Sequence, residues 1–375
     1  MTHSFHRLQT QIATLIIACF ALSAGATGIK DSKSKKKPLK KPVRTTQAPK
    51  PPAPATGPLY ASRDEVMRFA DDLAARRNLD RDWVRQTIGQ ARYLAQVVRL
   101  IQPPPVGTQK NWAVYRSRFI DAVRIRAGVS FWLANRETLE RAQKDYGVPA
   151  EIIVGIIGVE TIYGQQMGTF RVMDALTTLA FDFPASHPRA KARSEFFQGE
   201  LEQLLSLTRR NGTDPLELRG SFAGAMGLPQ FMPSSWVKYA VDFDGDGKVD
   251  LFESPGDVIG SVANYFKAFN WQTGMPTHYA VRFENSRLDL DALLLPDILP
   301  TFSVASFMAK GAELEGDALR HTGPLALVEL QNGAAAPSYV AGTENFYVIT
   351  RYNWSSYYAM AVIELGREVA AALPR

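Results

Sequence analysis

The sequence is poor in cysteine, and its single cysteine, Cys19, lies close to the N-terminus. A disulfide within the folded part of the chain is therefore excluded. The five histidines have neither zinc-ligand spacing nor the arrangement of a Ser-His-Asp triad. These absences direct the search for chemistry to carboxyl, hydroxyl and amide side chains.

The sequence also lacks a hydrophobic run long enough to span a bilayer stably. Arg7 precedes an apolar run over residues 12–24, which is shorter than the roughly 20 residues that a membrane-spanning helix needs. The small residues at 24–26 match the cleavage site of an exported protein. Residues 1–26 are therefore predicted to be a signal peptide.

Cys19 leaves an alternative to simple cleavage open. Residues 16–19 loosely resemble the lipid-attachment motif of bacterial lipoproteins, but the apolar run continues to Leu22, where lipoprotein signals usually become polar. Ordinary cleavage is favoured. Both interpretations predict export to the periplasm, with anchoring to the outer membrane if Cys19 is lipidated.

Residues 27–59 contain many lysines and prolines and almost no apolar side chains, so they are predicted to form a disordered linker. Nine basic residues and one acid give this segment a net charge of +8, and with Arg7 that exceeds the +6 of the whole chain. The rest of the chain therefore has a net charge near −3. Binding to anionic envelope polymers or a membrane surface is one interpretation, and a plain solvated spacer is the other. Export argues against nucleic acid as a partner.

The folded part is predicted to be mainly α, of the α+β class, with a small β-containing insert. Helical patterns fill an accessory region over 60–110 and a core over 111–275, including a helix from Val129 to Asp145. Short alternating runs predict strands in a region over 276–340, and Phe346–Ile349 in the C-terminal segment 341–375 is a further predicted strand.

Glu160 departs sharply from its apolar surroundings. A helix is predicted to begin at Pro149 and to end near Gly164. Glu160 follows Ile156 by four residues and Ile157 by three, so its carboxyl emerges on the apolar stripe of that helix. Apolar surroundings and the negative end of the helix dipole both oppose ionisation, which suits a general acid. A structural glutamate bonded to a neighbouring helix or arginine is the alternative.

Residues 242–253 match the twelve-residue EF-hand calcium loop. Oxygen donors stand at loop positions 1, 3, 5, 9 and 12, and glycine stands at position 6. Lys248, at position 7, would contribute its backbone carbonyl. No second loop accompanies this one, so calcium is expected to act as a structural clamp. The candidate ligands named by this spacing are Asp242, Asp244, Asp246, Lys248 and Glu253.

Two further segments combine polar and aromatic side chains. Residues 220–236 are rich in glycine and then in aromatic and amide groups, and residues 345–354 alternate aromatic with polar groups. Such mixtures suit sugar rings, which offer polar edges and apolar faces. A glycine-rich structural loop and a strand with one aromatic face are the alternatives.

Taken together, these segments resemble the bacterial lytic murein transglycosylase B family. The matching stretches are residues 147–164, 220–236, 242–271 and 345–362, in that order along the chain. The resemblance implies a lysozyme-like helical core that contains one EF-hand-like loop. It also implies cleavage of the β-1,4 bond between N-acetylmuramic acid and N-acetylglucosamine, which leaves a 1,6-anhydromuramoyl end.

By position in these motifs, Glu160 matches the family's catalytic acid and base, and Asp257 matches a calcium ligand that competes with Glu253 for the last place in the shell. The matching cleft residues are Tyr115, Arg193, Ser221, Gln230, Phe231, Tyr265, Tyr352 and Asn353. Two departures concern this cleft. The family has a pair of arginines here, and Arg193 keeps the role of one of them, while the counterpart of the other is not identified. Phe196 stands where a tyrosine is usual.

Most glycosidases need two carboxyl groups, and the nearby candidates are Asp174 and Asp182. Asp174 is interpreted as a helix cap, so a mechanism with Glu160 alone is favoured. The expected partner is a peptidoglycan glycan strand, the protein is expected to be a monomer, and no organic cofactor is expected. A lysozyme-type hydrolase and a non-catalytic, calcium-stabilised peptidoglycan-binding protein are the alternatives.

Overall fold

The computed structural model describes residues 57–105 and 107–374. The predicted signal peptide, Cys19 and nearly all of the predicted linker lie outside the described residues. The helices run in this order: α1 Asp64–Arg77, α2 Arg81–Gly89, α3 Ala95–Leu100, α4 Trp112–Phe119, α5 Ala122–Ala134, α6 Arg136–Tyr146, α7 Ala150–Thr161, α8 Val172–Phe181, α9 Ala190–Asn211, α10 Pro233–Tyr239, α11 Pro255–Ala268, α12 Leu290–Leu294, α13 Val304–Ala309, α14 Glu344–Thr350 and α15 Ser356–Ala371. Short 3-10 turns cover Tyr60–Ser62 and Gly316–Arg320.

The strands are short and antiparallel. They are β1 Phe170–Arg171, β2 Arg219–Gly220, β3 His278–Ala280, β4 Arg282–Phe283, β5 Ala312–Glu313, β6 Ala326–Asn332 and β7 Ala335–Gly342. Strand β7 lies between β3 and β6, while β1 pairs with β2 and β4 with β5. Most of the sheet structure thus falls in the region predicted to contain strands.

The buried helix α7 packs against α15 at the centre of the main core. Every residue of α7 except Glu151 is buried, so the helix has no solvent face. Glycines permit the close approach: a Cβ added at Gly155 would lie 2.3 Å from the carbonyl oxygen of Val362, and one at Gly366 would lie 2.0 Å from that of Glu151. Two helices that are far apart in the sequence are thereby held in close backbone contact.

A second, smaller core supports the β-containing region. Its buried members are Leu293, Phe307, Ala312, Leu314, Ala318, Leu325, Leu327 and Ala341. None of the helices in the described part of the chain is both long and apolar enough to cross a membrane.

Two predictions of secondary structure were wrong. Phe346–Ile349 is not a strand but part of α14, because Thr343 caps that helix by accepting the Asn345 N–H at 3.2 Å and the helix then buries Phe346 and Ile349. The helix expected over 129–145 is two helices that meet at Asn135.

The start of α1 has no side-chain cap. Helix α1 begins at Asp64 with Arg63 at the N-cap and no side-chain cap, since Ser62 Oγ instead donates to the Leu59 carbonyl at 3.4 Å. The Arg63 guanidinium pairs with Glu65 and Asp182. The start of α1 is therefore held by ion pairs with the neighbouring elements.

The backbone contact at Gly366 predicts that two Gly→Ala substitutions differ in their effect on the free energy of unfolding. Gly366→Ala should destabilise the protein by about 2–4 kcal/mol, because backbone atoms cannot yield to a new methyl group. Gly199→Ala, on α9 with nothing within 4 Å of its added Cβ, should be neutral or stabilising by about 0.5–1 kcal/mol. Chemical denaturation of both variants measures this, and equal effects would contradict the packing.

Candidate active site

Glu160 is buried at the C-terminal end of α7, with 7% of its surface exposed. The Tyr358 hydroxyl on α15 donates to Glu160 Oε1 at 2.7 Å. Burial raises the pKa of Glu160 to about 8, and the hydrogen bond from Tyr358 opposes that rise. Glu160 is therefore protonated at neutral pH, as its position on the apolar stripe predicts.

The chain turns sharply after Glu160. Ile162 and Tyr163 both have positive φ, 50° and 55°, a conformation that costs non-glycine residues energy. Thr161 Oγ1 donates to the Leu228 carbonyl at 2.8 Å and accepts from the Gly164 N–H at 3.0 Å. The turn is thus tied to the glycine-rich segment, which places that segment beside the acid.

The two other candidate carboxylates already have structural partners. Asp174 accepts from the Arg92 N–H at 2.8 Å and pairs with Arg171 at 2.6 Å. Asp174 lies in the first turn of α8 and does not cap it, since the N-cap residue is Arg171. Asp182 accepts from the Tyr60 hydroxyl at 2.5 Å and pairs with Arg63 at 2.7 Å. Both carboxylates hold the accessory helices against α8.

Two clefts have wall residues near Glu160. The first, of about 400 Å³, is lined by five of the predicted substrate-binding residues: Arg193, Gln230, Phe231, Tyr265 and Tyr352. The second, of about 660 Å³, is lined by Tyr115 and Asn353. The charge of Glu160 acts on Tyr352 in the first cleft and on Tyr115 in the second, where it helps burial to raise the pKa of each phenol. Glu160 lines neither cleft itself, but it lies near a wall residue of each.

Tyrosines and amides shape the walls. The Tyr265 hydroxyl donates to the Arg351 carbonyl at 2.6 Å, and the Tyr352 hydroxyl donates to the Pro229 carbonyl, so both rings are fixed. Gln230 Oε1 and Asn353 Oδ1 are buried and have no donor among the described residues. One such free acceptor therefore belongs to a lining residue of each cleft.

Ser221 and Arg193 have different surroundings. Ser221 lines neither cleft, and its Oγ accepts from the Ala225 N–H at 3.0 Å, which shapes the glycine-rich turn. Arg193 is 3% exposed, and burial together with Arg189 lowers the pKa of its guanidinium to about 10. Phe196 lies beside it in the first cleft.

Sequence reasoning missed two side chains of this site. Tyr358 is the hydrogen-bond partner of Glu160, although the two residues are 198 positions apart. Glu200, 3% exposed, lines the first cleft and accepts from the Ser234 hydroxyl at 2.6 Å and from its N–H at 2.9 Å. The spacing of Arg193 and Glu200, seven residues on one helix, was the signal that could have found Glu200.

The predicted calcium loop is closed by hydrogen bonds to its acidic side chains. Asp242 accepts from the N–H groups of Gly245 and Gly247 at 2.7 and 2.9 Å, and both glycines have positive φ. Ligand atoms of Asp242, Asp244 and Asp257 lie within 4.8 Å of one another. Three carboxylates this close repel unless a cation lies between them, so the residues fit calcium.

The remaining candidate ligands lie outside that cluster. Asp246 is exposed and accepts from the Lys248 N–H at 2.9 Å. Glu253 is exposed, whereas Asp257 is 1% exposed and accepts from the N–H groups of Phe243 and Asp250, each at 2.8 Å. Asp257 thus approaches the loop from α11, and its carboxylate organises the loop backbone.

Comparison with known proteins agrees with this geometry. The family model described as "Transglycosylase SLT domain" matches residues 61–367. The chain belongs to this transglycosylase family. The family resemblance inferred from the four motifs is thereby confirmed, as is the mainly helical fold with small sheets.

Individual relatives of the family are similar along most of the chain. The membrane-bound lytic murein transglycosylase B of Escherichia coli K12 is 42% identical over 322 residues, which cover 84% of each chain. The E. coli lytic transglycosylase SLT35 in complex with calcium is 41% identical, with a TM-score of 0.73, covering 85% of this chain and 96% of that one. SltB3 of Pseudomonas aeruginosa in complex with NAG-anhNAM-pentapeptide is 29% identical, with a TM-score of 0.68, covering 82% and 81%.

Burial of Glu160 predicts that the native state loses stability as pH rises. Its folded pKa of about 8 exceeds the unfolded value of about 4.3, so between these pH values the folded state binds more protons. At pH 7 this costs roughly 4 kcal/mol of folding stability. Glu160→Gln should therefore gain stability over the parent from pH 5 to pH 8 in denaturant titrations.

A matched control is Glu140→Gln, which removes an exposed glutamate on α6. Its stability relative to the parent should not change with pH. If the Glu160→Gln difference is also flat across this range, the buried acid is ionised in the folded protein.

Proposed function

We propose that the chain cleaves the β-1,4 bond between N-acetylmuramic acid and N-acetylglucosamine in peptidoglycan, with Glu160 as its only acid and base. The enzyme class, a lytic murein transglycosylase, follows from the family and its relatives. The observation that carries the mechanism is the burial of Glu160, with a pKa of about 8 and a hydrogen bond from Tyr358.

In the first step, neutral Glu160 gives its proton to the glycosidic oxygen as the bond to the muramoyl C1 breaks. The acetamido group of the substrate supports the positive charge that develops at C1. In the second step, ionised Glu160 takes the proton of the muramoyl 6-hydroxyl, whose oxygen bonds to C1. The proton count closes, water is not consumed, and the product is a 1,6-anhydromuramoyl end.

The hydrogen bond from Tyr358 assists the first step. It is made to the carboxyl oxygen Oε1 and stabilises the ionised form, which keeps Glu160 able to lose its proton in spite of burial. Burial keeps the group able to regain the proton afterwards. A pKa near the working pH is what a group that serves as acid and then as base requires.

The assignment of a single carboxyl group is supported by the other acids near the site. Asp174 and Asp182 are engaged by arginines of their own, and Glu200 holds the Ser234 N–H and hydroxyl. The complex of SltB3 with an anhydromuramoyl pentapeptide agrees with the proposed product class.

The clefts supply the binding groups. Tyr115, Phe231, Tyr265 and Tyr352 offer ring faces to the sugars, while Gln230 and Asn353 offer acceptors to hydroxyl or acetamido N–H groups. Arg193 offers a buried cation. Ser221 acts by shaping the turn of the glycine-rich segment.

Calcium is proposed as a structural ion held by Asp242, Asp244 and Asp257, with Asp246, the Lys248 carbonyl and Glu253 as the further candidates named by the EF-hand spacing. It would join the loop to α11. The calcium complex of SLT35 supports this assignment. No chemical step depends on the ion.

The proposed region boundaries remain those of the sequence: an accessory helical region over 60–110, the catalytic core over 111–275, a β-containing region over 276–340 and a C-terminal segment over 341–375. The last segment contributes Tyr352, Asn353 and Tyr358 to the site of the core. The enzyme is inferred to work outside the cytoplasm, where its substrate lies. Export to the periplasm is proposed, with anchoring to the outer membrane if Cys19 is lipidated.

The product distinguishes this mechanism from hydrolysis. Digestion of purified sacculi should yield muropeptides that weigh one water less than hydrolysed ones, because the 6-hydroxyl replaces water as nucleophile. Glu160→Gln should lower the rate by about 10³-fold while the fold is retained.

The control is Asp182→Asn, which should lower stability but not the rate per folded molecule. Products that contain the added water would indicate a lysozyme-type hydrolase. Sacculi bound but left intact by the parent protein would indicate a non-catalytic binding protein.

A calcium titration distinguishes the two candidate final ligands. Calcium at saturating concentration should raise the free energy of unfolding of the parent by about 1–3 kcal/mol over chelator-treated protein. Asp257→Asn should lose this increment and Glu253→Gln should keep most of it, since only Asp257 lies in the carboxylate cluster. The opposite ranking would place Glu253 in the shell.

A further inference from the structure

Helix α10 separates the first catalytic cleft from a second, unrelated groove. Ser234 and Tyr239 line the catalytic cleft, whereas Trp236 and Val237 line a crevice on the other face of the same helix. The crevice, of about 720 Å³, lies between α10, the C-terminal end of α9 and the calcium loop. It is larger than either cleft beside Glu160.

The crevice continues towards the accessory helices. Thr208 and Thr213 line both the crevice and a neighbouring cleft of about 390 Å³, which ends at Trp83 on α2. We call the two together the second groove. One tryptophan lies near each end of it, and the Arg209 guanidinium stacks 5.4 Å from the Trp83 ring.

The charges that line the second groove balance. Three cations, Arg209, Arg210 and Lys248, stand against three acids, Asp214, Asp242 and Asp250. A polyanion such as nucleic acid or a teichoic polymer would meet as much repulsion as attraction there. The groove therefore does not select for charge.

The neutral groups of the second groove suit a carbohydrate. Gln86, Gln90 and Asn211 offer amides and Thr213 offers a hydroxyl, whereas the buried Thr208 hydroxyl already donates to the Leu204 carbonyl at 2.9 Å. The Trp236 indole N–H is buried without an acceptor among the described residues, and a buried unpaired donor is costly. Amide and hydroxyl groups beside aromatic faces are also what the catalytic cleft presents.

We propose that the second groove binds a second strand of β-1,4-linked, N-acetylated glycan without cleaving it. The inference goes beyond the proposed function, because it concerns retention on the polymer and not chemistry. Asp214 and Asp242 are exposed and Asp250 is half-buried, so the groove holds no fully buried carboxyl group comparable with Glu160. A strand held here would keep the enzyme on the wall between cleavage events.

The test uses the full chain carrying Glu160→Gln, so that bound sugar is not consumed, and chitohexaose as the probe. Calorimetric titration should give two sites per chain. Val237→Glu, which places a charge in the crevice wall, and Trp83→Ala, at the other end, should each reduce this to one site. Both should weaken retention on intact sacculi by about tenfold, since one of two linked contacts is lost.

The matched control is Leu319→Glu, an equally drastic change at an exposed apolar position of the β-containing region. It should keep both sites. In the chain that retains Glu160, Trp83→Ala should still turn over soluble muropeptides at the parental rate, because Trp83 lines neither catalytic cleft. Because binding is read without turnover, failure of the proposed chemistry would not alter this result.

One binding site in the Glu160→Gln chain, unchanged by Val237→Glu and Trp83→Ala, would overturn the proposal. Two sites that both survive these substitutions would also overturn it, because the second site would then lie elsewhere. Circular dichroism of each variant confirms folding, and Trp83→Ala, on an accessory helix, serves where Val237→Glu perturbs α10.

Discussion

The close packing of α7 against α15 is the contact on which the rest of the site depends. Glycines at 155 and 366 bring the two backbones together, and this brings the Tyr358 hydroxyl to the carboxyl group of Glu160. The same packing removes Glu160 from water and so raises its pKa. A loosened helix pair would admit water, lower that pKa and leave a carboxylate unable to protonate a leaving group.

Three buried carboxyl groups show how polar partners decide the role of an acid. Asp257 accepts backbone N–H groups of the calcium loop, and Glu200 accepts both the N–H and the hydroxyl of Ser234. Their lone pairs organise the chain. Glu160 has a single hydroxyl donor, so much of its hydrogen-bonding capacity remains for substrate. Burial with few hydrogen-bond partners therefore suits Glu160 to the catalytic role proposed for it.

The sequence predicted the features that are encoded locally. Glu160 interrupts an apolar stripe within one helix, and the calcium loop is a spacing of twelve residues, so both could be read from neighbours. Tyr358 could not, because its meeting with Glu160 depends on how α15 packs. Phe346–Ile349 were misread for the same reason: aromatic and β-branched residues favour strands locally, but the cap at Thr343 and the core beneath α14 favour a helix.

Helix α10 has only seven residues, and its two faces belong to different grooves. A substitution on one face of so short a helix also affects the other face. A bulkier residue that reshapes the crevice would tilt the helix and displace the serine that Glu200 holds, and a change in the catalytic wall would be felt by the crevice. Substitutions on one face of α10 are therefore expected to be accompanied by compensating substitutions on the other face.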